Sequence, residues 1–97
     1  MTREETLRIL SDSLPQLREQ FDVKELALFG SVARNENTSS SDIDILVTFE
    51  NRPTFDHFFG LKFELEERLN AKVDLGIRSD IRPELKKYIE RDAINVP

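Results

Sequence analysis

The chain has 97 residues, 38% hydrophobic and 34% charged, with 19 acids against 14 bases, a net charge of -5, one histidine and neither cysteine nor tryptophan. Folding at this length buries roughly 60–68% of the unfolded surface, which allows one domain over residues 1–97 but excludes a second domain or a long enclosed tunnel; a substrate must lie in an open cleft. The lack of cysteine excludes disulfides, thiolate metal sites and thiol catalysis, and with no apolar run near the ~18 residues of a membrane span and a charged start, MTREETLRIL, the expectation is a cytoplasmic protein without membrane contact.

Leu7, Leu10, Leu14 and Leu17 recur at spacings of three and four and mark one apolar helical face running towards Phe21. Pro15 interrupts that pattern, so the sequence predicts a helix over 3–13 and a short second one from Pro15. Leu26 and Leu28 then alternate in a strand, Val23–Gly30. One or two helical turns follow in VARNE, and NTSSS reads as a polar loop.

From Asp42 to Phe49 the residues alternate as a half-buried strand does, with Ile43, Ile45, Val47 and Phe49 on one face and Asp42 and Asp44 on the other. Thr54 is an N-cap for a helix over 55–69, whose inward stripe is Phe55, Phe58, Leu61, Leu65 and Leu69. Phe59 and Phe63 fall on a neighbouring face, either as an extra core layer beneath the C-terminal segment or as an exposed patch for a partner. Val73, Leu75 and Ile77 alternate in a third strand with Asp74 facing the other way. A last helix over Pro83–Arg91 points Leu85 and Ile89 inward, Tyr88 packs beside Leu85, and Ala93–Val96 forms a short edge strand. His57 reads as a surface residue with no catalytic role. The fold class is α/β (α+β), a short mixed sheet with helices packed on one side and an acidic face left open.

Three features converge: Gly30-Ser31 at a strand end, Asp42 and Asp44 two apart on the next strand, and Asp74 on the polar face of a third. Chance supplies about 0.6 Asp-x-Asp triplets in a chain of this Asp content, so the triplet counts only in that context. Two residues on one strand face have Cα atoms about 6.6 Å apart, and carboxylates about 5 Å apart repel by roughly 3 kcal/mol at an effective dielectric of 20. A hard divalent cation resolves that repulsion. Magnesium suits a few carboxylates plus substrate phosphates, and two such ions clamp the attacking and leaving oxygens of a phosphoryl transfer. Gly30 lets the backbone approach a phosphate, and the Ser31 hydroxyl with the following N–H groups can hold its oxygens, which points to a nucleoside triphosphate. Arg34 either reaches that triphosphate or pairs with Asp42 or Glu36 to fix the loop. A pI near 4.9 speaks against a nucleic-acid partner, because no basic stripe is present to displace phosphate counterions.

The run LFGSVARNENTSSSDIDILVTFE resembles the hallmark of the DNA polymerase beta-like nucleotidyltransferases, Gly-Ser, ten residues, then Asp-x-Asp. Within that superfamily the chain is similar to the minimal nucleotidyltransferases, or MNT proteins, over nearly its whole length, including KVDLGI and RPELKKYIERDAINV. Asn35 stands where that group has glycine, a position that Asn also fills in the left-handed conformation. The resemblance implies that Gly30 and Ser31 hold the triphosphate and that Asp42 and Asp44 bind two Mg²⁺ ions. It also implies that Asp74 ligates one of them and acts as general base. The implied reaction is transfer of AMP from ATP to a protein hydroxyl, a tyrosine of a cognate HEPN-domain toxin, with this chain as the antitoxin. The alternatives are a catalytically silent antitoxin that binds its partner sterically and, further off, a small-molecule enzyme of the aminoglycoside-modifying kind.

Overall fold

The computed structural model describes all residues 1–97. Helix α1 (Arg3–Phe21) starts at Thr2, whose hydroxyl accepts the Glu5 backbone N–H at 3.1 Å and satisfies one of the donors a helix start leaves free. The helix runs through Pro15 unbroken, which corrects the split expected there. Proline in a helix interior costs about 3 kcal/mol. Pro15 lies on the exposed side, while Leu10, Leu14 and Leu17 on either side of it are buried. At about 1.5–3 kcal/mol per buried leucine, that stripe outweighs the proline.

Asp22, left-handed at φ 61°, ends α1, and its carboxylate accepts the backbone and side-chain N–H groups of Asn51. Strand β1 (Val23–Phe29) pairs antiparallel with β2 (Ile43–Phe49), and a register shift between Val23 and Glu25 puts one extra residue in β1. That bulge returns Val23 to the face of Leu26 and Leu28, so all three are buried. Between these strands lies α2 (Gly30–Ala33), a single turn. Helix α3 (Phe55–Leu69) is capped by Thr54, as its sequence predicts, and crosses over so that β3 (Val73–Ile77) pairs parallel with β2. A 3₁₀ turn (Arg78–Asp80) leads into α4 (Pro83–Asp92), and β4 (Ile94–Asn95) pairs antiparallel with β1. The four-stranded mixed sheet has the order β3-β2-β1-β4.

Helices α1 and α3 cover one face, and a cluster of 16 buried residues joins their leucines to Ile43, Ile45, Val47, Val73 and Leu75. Phe58 packs on this cluster, but Phe55 is 75% exposed and does not belong to the inward stripe. It sits in the first turn of α3, where its ring stacks on Phe59 rather than on the sheet.

The expected inward packing of α4 is corrected too: Leu85 and Tyr88 are half-exposed and no residue of this helix is buried. Polar clamps hold it. Arg78 donates to Glu90 at 2.8 Å and to Asn95 at 2.7 Å, and Arg34 donates to Asp92 at 3.2 Å. Arg78 holds the Glu90 carboxyl below the usual carboxylate range. A depressed carboxyl stabilises the fold above its unfolded value, and that contribution is lost as pH falls through the folded one. Arg78→Met is expected to raise amide hydrogen exchange across residues 83–95 roughly ten-fold while leaving α1 and α3 protected, and acidification of the wild type is expected to loosen the same segment first.

Candidate active site

The strand register brings the acidic residues and the glycine turn together. Phe29 pairs with Asp44, and Asp44 pairs with Asp74, so the end of β1, Asp44 and Asp74 cross the sheet at one level. Each faces away from α1 and α3, because their neighbours Leu28, Ile43, Ile45, Val73 and Leu75 fill the core on the other side. Asp42 is exposed and precedes β2, which begins at Ile43, one residue later than its sequence suggests.

Gly30 turns the chain from extended β1 into α2 with φ 74°, a conformation that L side chains rarely adopt. A Cβ on Gly30 would stand 2.9 Å from Asp44 Cγ and overlap its carboxylate, so glycine is required here by backbone and by space. Ser31 follows at half-burial, and Val32 and Ala33 are buried, which pins the turn to the sheet. Asn35 takes the left-handed conformation at φ 62° that its side chain tolerates, and the Glu36 N–H closes the turn on the Ser31 carbonyl at 2.8 Å.

The charge of the site is unbalanced. Burial first, then the charges of Asp74 and Asp42, push the Asp44 carboxyl above its ordinary range, and Arg34 is the one cation that opposes this. Arg34 does not pair with Asp42. Its guanidinium meets Glu36 at 3.0 Å and Asp92 at 3.2 Å. Asp92, at the end of α4, has no signal in the sequence: only the return of the C-terminal segment to α2 brings it there. His57 is half-buried, with Nδ1 buried and without a hydrogen-bond partner.

The donor set is hard oxygen with excess negative charge, which fits a divalent cation better than any other ligand class. No three acidic or histidine side chains close on one point as a finished metal cage, so phosphate oxygens or water must supply the remaining ligands. None of the three concavities contains the three aspartates. One, of about 430 Å³, lies among Thr48, Arg52, Ile77 and Asp80; a second, of about 310 Å³, lies among Asn37, Thr38, Ser41, Ile43 and Asn70; a third, of about 390 Å³, lies on α1 among Gln16, Glu19 and Gln20. The second borders Asp42 through Ser41 and Ile43. The aspartates therefore stand on an open face, able to take a polyphosphate with its cations but without walls to grip a base. No helix is long and apolar enough to cross a membrane.

Residues 7–96 match the Nucleotidyltransferase domain family. The chain is 38% identical to the protein adenylyltransferase MntA of Thermococcus cleftensis over 99% of its own length and 97% of the relative's. It is 51% identical to a candidate protein adenylyltransferase of Methanocaldococcus jannaschii over 82% of this chain and 83% of that one. Among solved structures, one described as a candidate minimal nucleotidyltransferase superposes with a TM-score of 0.80 at 35% identity, covering 97% of this chain and 95% of that one. The fold is also that of a chain in a complex of a tri-AMPylated Shewanella oneidensis HEPN toxin with its MNT antitoxin, at a TM-score of 0.65, 18% identity, and coverage of 94% of this chain and 71% of that one.

Proposed function

The chain belongs to the nucleotidyltransferase-domain family, as a member of its minimal, MNT branch, and on that premise we propose that it transfers AMP from ATP to a protein hydroxyl and so silences a HEPN-domain toxin. The observation that carries this reading is that Phe29, Asp44 and Asp74 stand at one level of three adjacent strands, with the Gly30 turn directly against the Asp44 carboxylate and Asp42 beside them. A phosphate-accepting turn and a set of uncompensated carboxylates are what triphosphate chemistry requires in one place.

In the proposed reaction the backbone of Gly30 and the hydroxyl of Ser31 hold the β- and γ-phosphates. Asp74, exposed at the edge of the site, accepts the proton of the incoming hydroxyl. The freed oxygen bonds to the α-phosphorus, the bond to the bridging oxygen breaks, and pyrophosphate leaves. Mg²⁺ held by Asp42, Asp44 and Asp74 would neutralise the triphosphate and the leaving pyrophosphate. Arg34 stands at the loop end, where exchange of Asp92 for phosphate would bring its charge to the nucleotide. The acceptor is taken to be a tyrosine of the toxin. A protein acceptor also suits the open face, since a bound partner supplies the walls that 97 residues do not.

A second reading, neutralisation by contact alone, is favoured by the exposed aromatic rings of α3. Intact-mass spectrometry separates the two: this protein is mixed with the HEPN-domain protein encoded beside it, ATP and Mg²⁺, and an Asp42→Asn/Asp44→Asn variant is run in parallel. A partner heavier by one or more AMP units with wild-type protein only is the expected result. A stable complex with no mass gain, together with full neutralisation by the double variant, would leave only the contact reading.

A further inference from the structure

Helix α3 leaves three aromatic rings uncovered. Phe55, Phe59 and Phe63 follow at four-residue spacing along one side of the helix and are 75%, 36% and 61% exposed. The rings of Phe55 and Phe59 lie 4.4 Å apart, and Phe59 meets Phe58, itself packed on the core, edge-on at 5.1 Å. Phe55 and Phe59 are thus held by neighbouring rings and have less side-chain freedom to lose on contact. Helical periodicity sets Asp56 and Glu67 beside the rings, against the single base Lys62, while Glu66 on the same side accepts the Val73 N–H at 3.0 Å. A contiguous apolar patch with a charged rim marks a contact surface, and an acidic rim selects a partner with the opposite sign.

A second copy of the stripe does not meet that demand, because a two-fold contact sets the same acids against each other in a chain of net charge -5. The other exposed apolar surface, Leu85 and Tyr88 of α4, does carry bases. However, Lys87 and Arg91 lie over their own Tyr88 ring at 5.3 and 5.6 Å, and a head-to-tail contact of α4 on α3 forms an open chain of copies unless its rotation closes a ring. The stripe's position points instead to the acceptor protein. Helix α3 covers the sheet face opposite the aspartates, but the end of α3 that follows Phe63 leads through Lys72, whose carbonyl takes the Ile43 N–H at 2.9 Å, directly into the edge strand β3 that exposes Asp74, so a partner lying along that edge meets both the stripe and the acidic site.

We infer that Phe55, Phe59 and Phe63 dock the protein that bears the acceptor hydroxyl, through an apolar surface of that protein flanked by lysine and arginine. The inference rests on the function proposed above for the identity of the partner. The test titrates fluorescently labelled HEPN-domain protein with wild type, Phe59→Asp/Phe63→Asp, Phe63→Ser and Asp56→Lys/Glu67→Lys, with circular dichroism on each and intact mass read in parallel. Binding weaker by about 100-fold or more is expected for the double Phe variant, about ten-fold for Phe63→Ser, and several-fold with a flatter salt dependence for the charge reversal. Phe63→Ser changes an exposed side chain and guards against misfolding as the cause. Full affinity in the Phe variants, or no binding by wild type, overturns the docking surface. Concentration-dependent self-association that Phe63→Ser abolishes reassigns the stripe to a second copy and overturns it as well. Stripe-dependent binding without AMP transfer upholds the docking surface while removing the enzymatic reading.

Discussion

Asp44→Asn is expected to abolish AMP transfer while making the metal-free protein more stable. The two effects have one cause. Asp44 is half-buried beside Asp74 and Asp42, and burial and both neighbours push its carboxyl up, with Arg34 alone opposing them. An acid whose folded value is raised costs stability at neutral pH, and that cost disappears as pH falls through the folded value. Asparagine keeps the shape and removes the charge. Thermal melts in EDTA at pH 7 are expected to show the variant melting a few degrees higher, with the gap closing on acidification. Turnover is expected to fall about 1,000-fold or more, since the same charge is what a divalent cation would use and several kcal/mol of transition-state stabilisation go with it. A melting gain without loss of transfer would show that Asp44 is merely a strained surface acid. Loss of both would make it a structural residue.

What the sequence made legible is whatever depends on local periodicity and turn chemistry. The alternation of Ile43, Ile45 and Val47 against Asp44 gave both the strand and its core face, and Thr54 gave the start of α3. Asn35 filled the left-handed turn that its side chain permits. The failures arise where a distant contact decides. Pro15 reads as a break because its penalty is local, whereas the burial that overrides it comes from Leu10, Leu14 and Leu17 packing in the core. Phe55 satisfies the inward spacing of α3 but lies in its first turn, 75% exposed, with its ring against Phe59 instead of the core. Leu85 and Ile89 predict an apolar seat for α4, yet Arg78 and Arg34 hold the helix by charge through partners 12 and 58 residues away. Nothing in the spacing of Arg34 names Asp92. The acidic residues were found as residue types, and only the pairing of Phe29 with Asp44 and of Asp44 with Asp74 brings them together.

Gly30→Ala carries the second large effect, and it tests whether the turn and the carboxylates form one unit. The added methyl meets two obstacles. At φ 74° any L side chain is strained, a cost on the order of 1–2 kcal/mol. Its Cβ would also overlap the Asp44 carboxylate, 2.9 Å from Cγ, so either Asp44 rotates away or the end of β1 lifts from β2. The core beneath, Leu28, Val32 and Ile45, is buried and resists the second escape, so rotation of Asp44 is the expected response. The variant should therefore stay folded with a melting temperature lower by about 4–16 °C, since each ~1 kcal/mol shifts a domain of this size by about 4–8 °C. Transfer of AMP should fall about 100-fold or more, since a misplacement of about 1 Å at a reacting centre costs that much. The double variant Gly30→Ala/Asp44→Asn separates the terms. If the methyl acts by displacing Asp44, the two losses will not add, and the double variant will transfer no more slowly than Asp44→Asn alone. Additive losses would instead mean that Gly30 and Asp44 serve the nucleotide independently, with the glycine acting at the phosphates and not through the carboxylate it touches.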